Sequence, residues 1–225
     1  ELMEAESLNG SSPLVVELEQ GYEDDFELDL GWVSTGATWA GGAWEQGNPQ
    51  PFDPGYGYPI TAASDVDGDI GTQAYVTGNG SPIDLVHADA VRLISPAFDG
   101  RIFTDPVLQF SAFVFNTDTS GLISNDGLVV QINISGTTTP IDTIYPDGPG
   151  TPTWREFSYH LNDFVSMDAE MKVVFVAEAD GTPFFISDVL EAGVDAFVVK
   201  EFEDSSTGIE EPTVITERVF PNPAQ

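Results

Sequence analysis

The 225-residue chain contains no cysteine, and its six Lys plus Arg face 38 Asp plus Glu, a formal net charge of −32. Without thiols there is no disulfide framework, no thiolate zinc site and no cysteine nucleophile. The few bases are scattered, so phosphate backbones and anionic lipid are repelled, which excludes nucleic acid as a partner. The two histidines, His87 in HADA and His160 in HLND, stand outside any HExxH or HxxE arrangement, which argues against a zinc-hydrolase centre. A GxSxG nucleophile elbow, a Walker loop and a GxGxxG fingerprint are missing as well. No apolar run approaches the roughly 18 residues needed to span a bilayer. The opening ELMEAESLNG lacks the basic and apolar regions of a signal peptide. On this reading the chain is either cytosolic or the mature part of a longer secreted precursor. With 38 acids some pair at glycosidase spacing is inevitable, so no particular pair is informative and no catalytic residue is assigned.

Helical periodicity is scarce, and strand signals take its place. VLQFSAFVF (107–115), GLVVQINIS (127–135), MKVVFVAEA (171–179) and VDAFVVKEF (194–202) are rich in β-branched and aromatic residues and are bounded by Gly, Pro, Asn and Asp. In the first, Leu108, Phe110, Ala112 and Val114 share one face and Val107, Gln109, Ser111 and Phe113 the other. Both faces are fairly apolar, as expected of a central strand covered on both sides. WREFSYHLNDF (154–164) reads as a strand entering a turn at Leu161 to Asp163. These signals predict an all-β, jelly-roll-like antiparallel β-sandwich over residues 14–202, after an N-terminal segment of residues 1–13. Residues 203–217 lose the alternation and read as an acidic linker before the terminal RVFPNPAQ (218–225).

Residues 36–62 are dense in Gly and Pro and carry Trp39, Trp44, Phe52, Tyr56 and Tyr58, which predicts a long ordered loop. Exposed, Trp39, Trp44, Tyr56 and Tyr58 would form a stacking platform for a sugar or peptide; buried, they would pack the loop onto the sandwich. Trp32 and Trp154 are expected in the core.

The acids point to calcium, which takes hard oxygen ligands from carboxylates and carbonyls. SDVDGDIG (64–71) resembles a calcium loop but fails as an EF-hand, because counting from Asp65 puts Ile70 at position 6 and Val76 at position 12, where Gly and Glu are required. Asp65, Asp67 and Asp69 therefore read either as a solvated turn or as ligands of an ion that the backbone wraps. Asp25 and Glu27 flank Phe26 at strand spacing, opposite a core aromatic. Asp195 follows Val194 in an apolar strand, a costly place for an uncompensated charge, which a metal or a hydrogen-bond network would relieve. Capping a turn at a strand start is the alternative for that residue. First and last strands commonly neighbour each other in jelly-roll sandwiches, so Glu27 and Asp195 are expected to meet, and these two rank above SDVDGDIG as calcium ligands.

Taken in order, DDFELDLGW, GAWEQGNP, TQAYVTGNG, RLISPAFD, NDGLVVQIN, WREFSYHLNDF and VLEAGVDAFVV resemble the accessory β-sandwich that follows the catalytic domain in secreted bacterial zinc carboxypeptidases and related exoenzymes. The resemblance runs from about residue 23 to 200. HADAVRLISP stands where the family carries a DVDGG stretch, leaving Asp89 as the counterpart, and only the first acid of the family's closing pair is kept, as Asp195. These sandwiches are similar to jelly-roll and meprin-like adhesive domains that bind structural calcium, which implicates Asp25, Glu27, Asp89 and Asp195. RVFPNPAQ resembles the start of the C-terminal sorting domain on cargo of the type IX secretion system of Bacteroidetes. The resemblances imply a secreted or cell-surface, calcium-stabilised, non-catalytic accessory domain of a multidomain hydrolase, its partners a polysaccharide or protein substrate and the secretion machinery. A carbohydrate-binding module using the loop aromatics and an adhesin-like domain are the alternatives.

Overall fold

Segments with β-branched and aromatic alternation become the central strands of two antiparallel sheets in the computed structural model, which describes residues 21–36, 42–79, 86, 90–116, 126–146, 148, 150–179 and 189–203. The strands are β1 (Gly21–Asp24), β2 (Val33–Thr35), β3 (Trp44–Gly47), β4 (Ala74–Thr77), β5 (Ala90–Ile94), β6 (Pro106–Asn116), β7 (Gly127–Ile134), β8 (Thr137–Ile144), β9 (Arg155–His160), β10 (Met171–Glu178) and β11 (Leu190–Glu201). The front sheet runs β3-β4-β11-β6-β9, with β1 also paired to β11, and the back sheet runs β2-β5-β10-β7-β8. The sandwich is all-β, as the sequence predicts. Among the described residues no helix is long and apolar enough to cross a membrane.

The core lies between the sheets. Leu108, Phe110, Ala112 and Val114 of β6 meet Val173, Phe175 and Ala177 of β10 and Leu128, Val130 and Ile132 of β7 in one buried cluster. Burying each such large side chain contributes about 1.5–3 kcal/mol. The other face of β6 is covered too, by a different part of the chain. Phe113 packs with Ala62, Ala74, Val76 and Trp154, and Phe115 with Ile60, Val189, Phe52 and Tyr58. The long loop between β3 and β4 thus lies across the outer face of the front sheet. WREFSYHLNDF forms β9 and a single 3-10 turn at Leu161–Asp163, as its alternation predicts.

β11 breaks its own alternation. Asp195 pairs with Ser111 and Val198 with Gln109, so three steps along β11 match two along β6. This one-residue β-bulge resets the phase. Ala192 and Val194 face the core before it, and Phe197 and Val199 face the core after it. Ala196 takes up the extra residue at φ 49°, a left-handed conformation that costs a non-glycine residue about 1–3 kcal/mol. On the side away from β6, β4 pairs with Gly193 and Val194 and β1 with Phe197 to Lys200, so the bulge falls between these neighbours.

A second irregular point closes the other end of this edge. Phe26 is fully buried but sits at φ 58°, so the chain after β1 turns instead of continuing the strand expected there. Asp24, 3% exposed, secures the turn. Its carboxylate accepts from the Phe26 N–H (2.9 Å), the Trp32 indole N–H (2.7 Å) and the Tyr22 hydroxyl (3.0 Å). Leaving a buried donor without its acceptor costs about 1–3 kcal/mol per group. Asp24→Ala is therefore expected to lower unfolding free energy by about 2–4 kcal/mol in urea titrations.

Candidate cation site

The stretch SDVDGDIG crosses the outer face of the front sheet as a strap. At its start the Trp154 indole N–H donates to the Ser64 carbonyl at 2.8 Å. Just beyond its end the Glu27 carboxylate accepts the Thr72 and Gln73 N–H groups at 2.6 and 3.0 Å. Gly71, at φ 117°, lies against the Glu27 side chain, where a Cβ would collide with the carboxylate. Under the middle of the strap lies Asp195.

Register explains why Asp195 points that way. It pairs with Ser111, which pairs in turn with Glu156 of β9, and all three project from the outer face. Asp195 is fully buried and Ser111 is 3% exposed. Asp65 and Asp69 reach down from the strap, and one oxygen from each of Asp65, Asp69 and Asp195 lies within 4.8 Å of the others. With all three carboxylates ionised, both Asp65 oxygens, Asp69 Oδ2 and Asp195 Oδ2 are buried with no donor facing them. The remaining Asp195 oxygen, Oδ1, accepts the Ala196 N–H at 2.7 Å, a bond that the bulge makes available.

Such crowding of unpartnered carboxylates resists ionisation. Burial first, then hydrogen bonding to and repulsion by Asp65, push the Asp195 carboxyl up to about 10, with only the Ala196 N–H acting against them. Asp69 is raised chiefly by burial, with repulsion from Asp65 and Asp25 adding to it. Glu27 moves the other way, held below its ordinary value mainly by the Thr72 N–H.

The donor set fits a hard divalent cation. Three carboxylates bring oxygens close enough together to share one ion, and an all-oxygen donor set is the kind that calcium and magnesium take. A cation here would favour the ionised forms of Asp69 and Asp195 and turn the repulsion among the three carboxylates into attraction for a shared centre.

The sequence ranking of the acids is rearranged. Glu27 does not meet Asp195, because the Phe26 turn directs its carboxylate to the Thr72 and Gln73 amides, where it fastens the strap. Asp25 stands near Asp69 and accepts the Glu27 N–H at 3.3 Å, outside the converging group. Asp67 is exposed on the strap, and Asp89 lies outside the described residues. Asp24, absent from the sequence-based candidates, is a structural hub; Asp-x-Phe followed by a Trp was its only signal.

The aromatic platform fares differently. Trp44 is 3% exposed, its indole N–H donating to the Val91 carbonyl at 3.2 Å, because β3 places it over the core. It cannot stack on an external sugar. Tyr58 is half-buried against Phe115, Tyr56 is exposed beside it at a centroid distance of 6.2 Å, and Trp39 lies outside the described residues.

No protein-family model matches the sequence, and no curated protein matches it either. Among solved structures, the adhesin domain K3 of Lys-gingipain from Porphyromonas gingivalis aligns at 12% identity over 80% of this chain and 98% of that one, TM-score 0.45. A Stig cyclase from Fischerella sp. TAU aligns at 10% identity over 80% and 87%, TM-score 0.41. The CBM22-1 xylan-binding domain from Paenibacillus barcinonensis Xyn10C aligns at 12% identity over 82% and 97%, TM-score 0.39. At these scores none of the matches bears on ligand or activity; the sandwich rests on the strand pairing described above.

The raised Asp195 value carries a sign. Metal-free folded protein holds this proton more tightly than the unfolded chain, so its contribution to stability falls as pH rises from the ordinary carboxylate value of 3.8 toward about 10. Asp195→Asn keeps the Oδ1 acceptor and removes the charge. In chelator-treated protein this variant is expected to be more stable than the parent at pH 8, the gap closing toward pH 4, by urea denaturation at both pH values.

Proposed function

We propose that the chain is a non-catalytic accessory domain of a secreted multidomain hydrolase, of the kind attached to zinc carboxypeptidases, in which calcium fastens the strap 64–71 to the front sheet. The observation that carries the calcium reading is the fully buried Asp195, whose unpartnered Oδ2 faces Asp65 and Asp69. A buried carboxylate with no counter-charge is costly, and a divalent cation is the chemistry that removes the cost while leaving the fold unchanged. The accessory role is supported by the order of seven sequence segments, and export through type IX secretion to the cell surface or medium by RVFPNPAQ. In this role the domain attaches the enzyme to substrate or stabilises it outside the cell, where calcium is plentiful and modules of weak affinity are filled.

Binding to the folded state alone adds directly to stability. At calcium a hundredfold above Kd the gain is about 2.7 kcal/mol, on the order of 5–10 °C in Tm for a domain of this size. Calorimetric scans with calcium and with chelator are expected to differ by that amount in the parent and to coincide in Asp195→Asn. Because Asp195 must lose its proton, affinity is expected to rise from pH 6 to pH 8 with protons released on binding, which titration in buffers of different ionisation enthalpy measures. Superimposable scans together with absence of metal by elemental analysis would overturn the calcium reading.

A further inference from the structure

The segments joined by Glu27 present aliphatic side chains to water. Ile70, next to Asp69, is 76% exposed; Leu28, next to Glu27, is 61% exposed, and Leu30 is 45% exposed. All three line one depression of about 420 Å³ together with Val198 of β11. The Glu27 bonds to Thr72 and Gln73 hold the two segments side by side, so the aliphatic groups gather at a fixed place.

Charge around this hollow is mostly negative. Glu23 and Asp25 line it with Lys200, and exposed Asp29 stands between Leu28 and Leu30. An apolar hollow rimmed by carboxylates is complementary to an apolar anchor flanked by bases. A second copy of the chain is a poor occupant, since each carries a net charge of −32, and anionic lipid is repelled for the same reason.

We propose that the hollow formed by Leu28, Leu30, Ile70 and Val198 docks an apolar side chain of a Lys/Arg-rich protein segment. This docking leans on the calcium reading at one point, since Asp69 sets the position of Ile70. The apolar contact gives affinity and the acidic rim gives rate and selectivity, so binding weakens with salt without vanishing.

The test uses two fluorescent peptides of equal length and lysine content, one with leucine and one with serine at the remaining positions, titrated against the full chain in calcium at physiological ionic strength. The leucine peptide is expected to bind roughly tenfold or more tighter than the serine peptide, the worth of burying one large aliphatic side chain. Leu28→Ser with Ile70→Ser is expected to reduce the leucine peptide to the level of the serine peptide while leaving the calcium titration unchanged. Equal affinity for the two peptides, or a leucine preference untouched by the double variant, overturns the proposal. Binding to phosphatidylcholine vesicles that the double variant loses, with no peptide preference, overturns it in favour of a membrane surface. A leucine preference kept in Asp195→Asn, or in a parent that binds no calcium, supports the docking site and separates its fate from that of the cation.

Discussion

Asp195 is a carboxylate shut off from water in the middle of the longest strand, and the outer face of the front sheet is organised around it. A charge in that position needs either a proton or a cation, because its Oδ2 is buried with no donor facing it. The bulge directs the Ala196 N–H to one carboxylate oxygen and leaves the other free for the strap. The left-handed conformation of Ala196 is thus tied to the same bulge that orients Asp195.

The strap shows how a turn-rich sequence is fixed across the face of a sheet. Its ends are fixed by hydrogen bonds from Trp154 and to Glu27, neither of which requires an ion. Only its centre bears the repelling carboxylates. Ends held rigidly and a centre held electrostatically allow a cation to enter without rebuilding the fold, and confine the effect of losing it to the residues between.

The sandwich was legible in the sequence because burial on a strand imposes a period of two, and VLQFSAFVF, GLVVQINIS and MKVVFVAEA display it openly. The turn at Phe26 and the bulge at Ala196 were not legible, since neither residue is a glycine and both lie inside apparent strand patterns. That is why Glu27 and Asp195, each recognisable as an unusual acid, were expected to meet when a left-handed residue beside each directs them apart. SDVDGDIG suffered the opposite fate. Its failure as an EF-hand is correct as a statement about one loop closing on itself, yet two of its aspartates converge on a third that lies 126 residues beyond Asp69, and no local pattern encodes such a distance. For Trp44 the sequence leaves platform and packing both open because its neighbours are loop residues; a short strand turns it inward, so it packs.

The pairing of β1 with β11 has a mechanical meaning. Gly21 lies opposite Lys200 and Asp24 opposite Phe197, so the first and last strands among the described residues run side by side. Tension applied at residues 21 and 201 loads this ladder from its open end and parts it pair by pair, as a zip opens, instead of shearing all its bonds at once. Once β1 has peeled away, β11 is still held along Val198 to Glu201 by β6, so extension stops there and the body of the sandwich begins to resist.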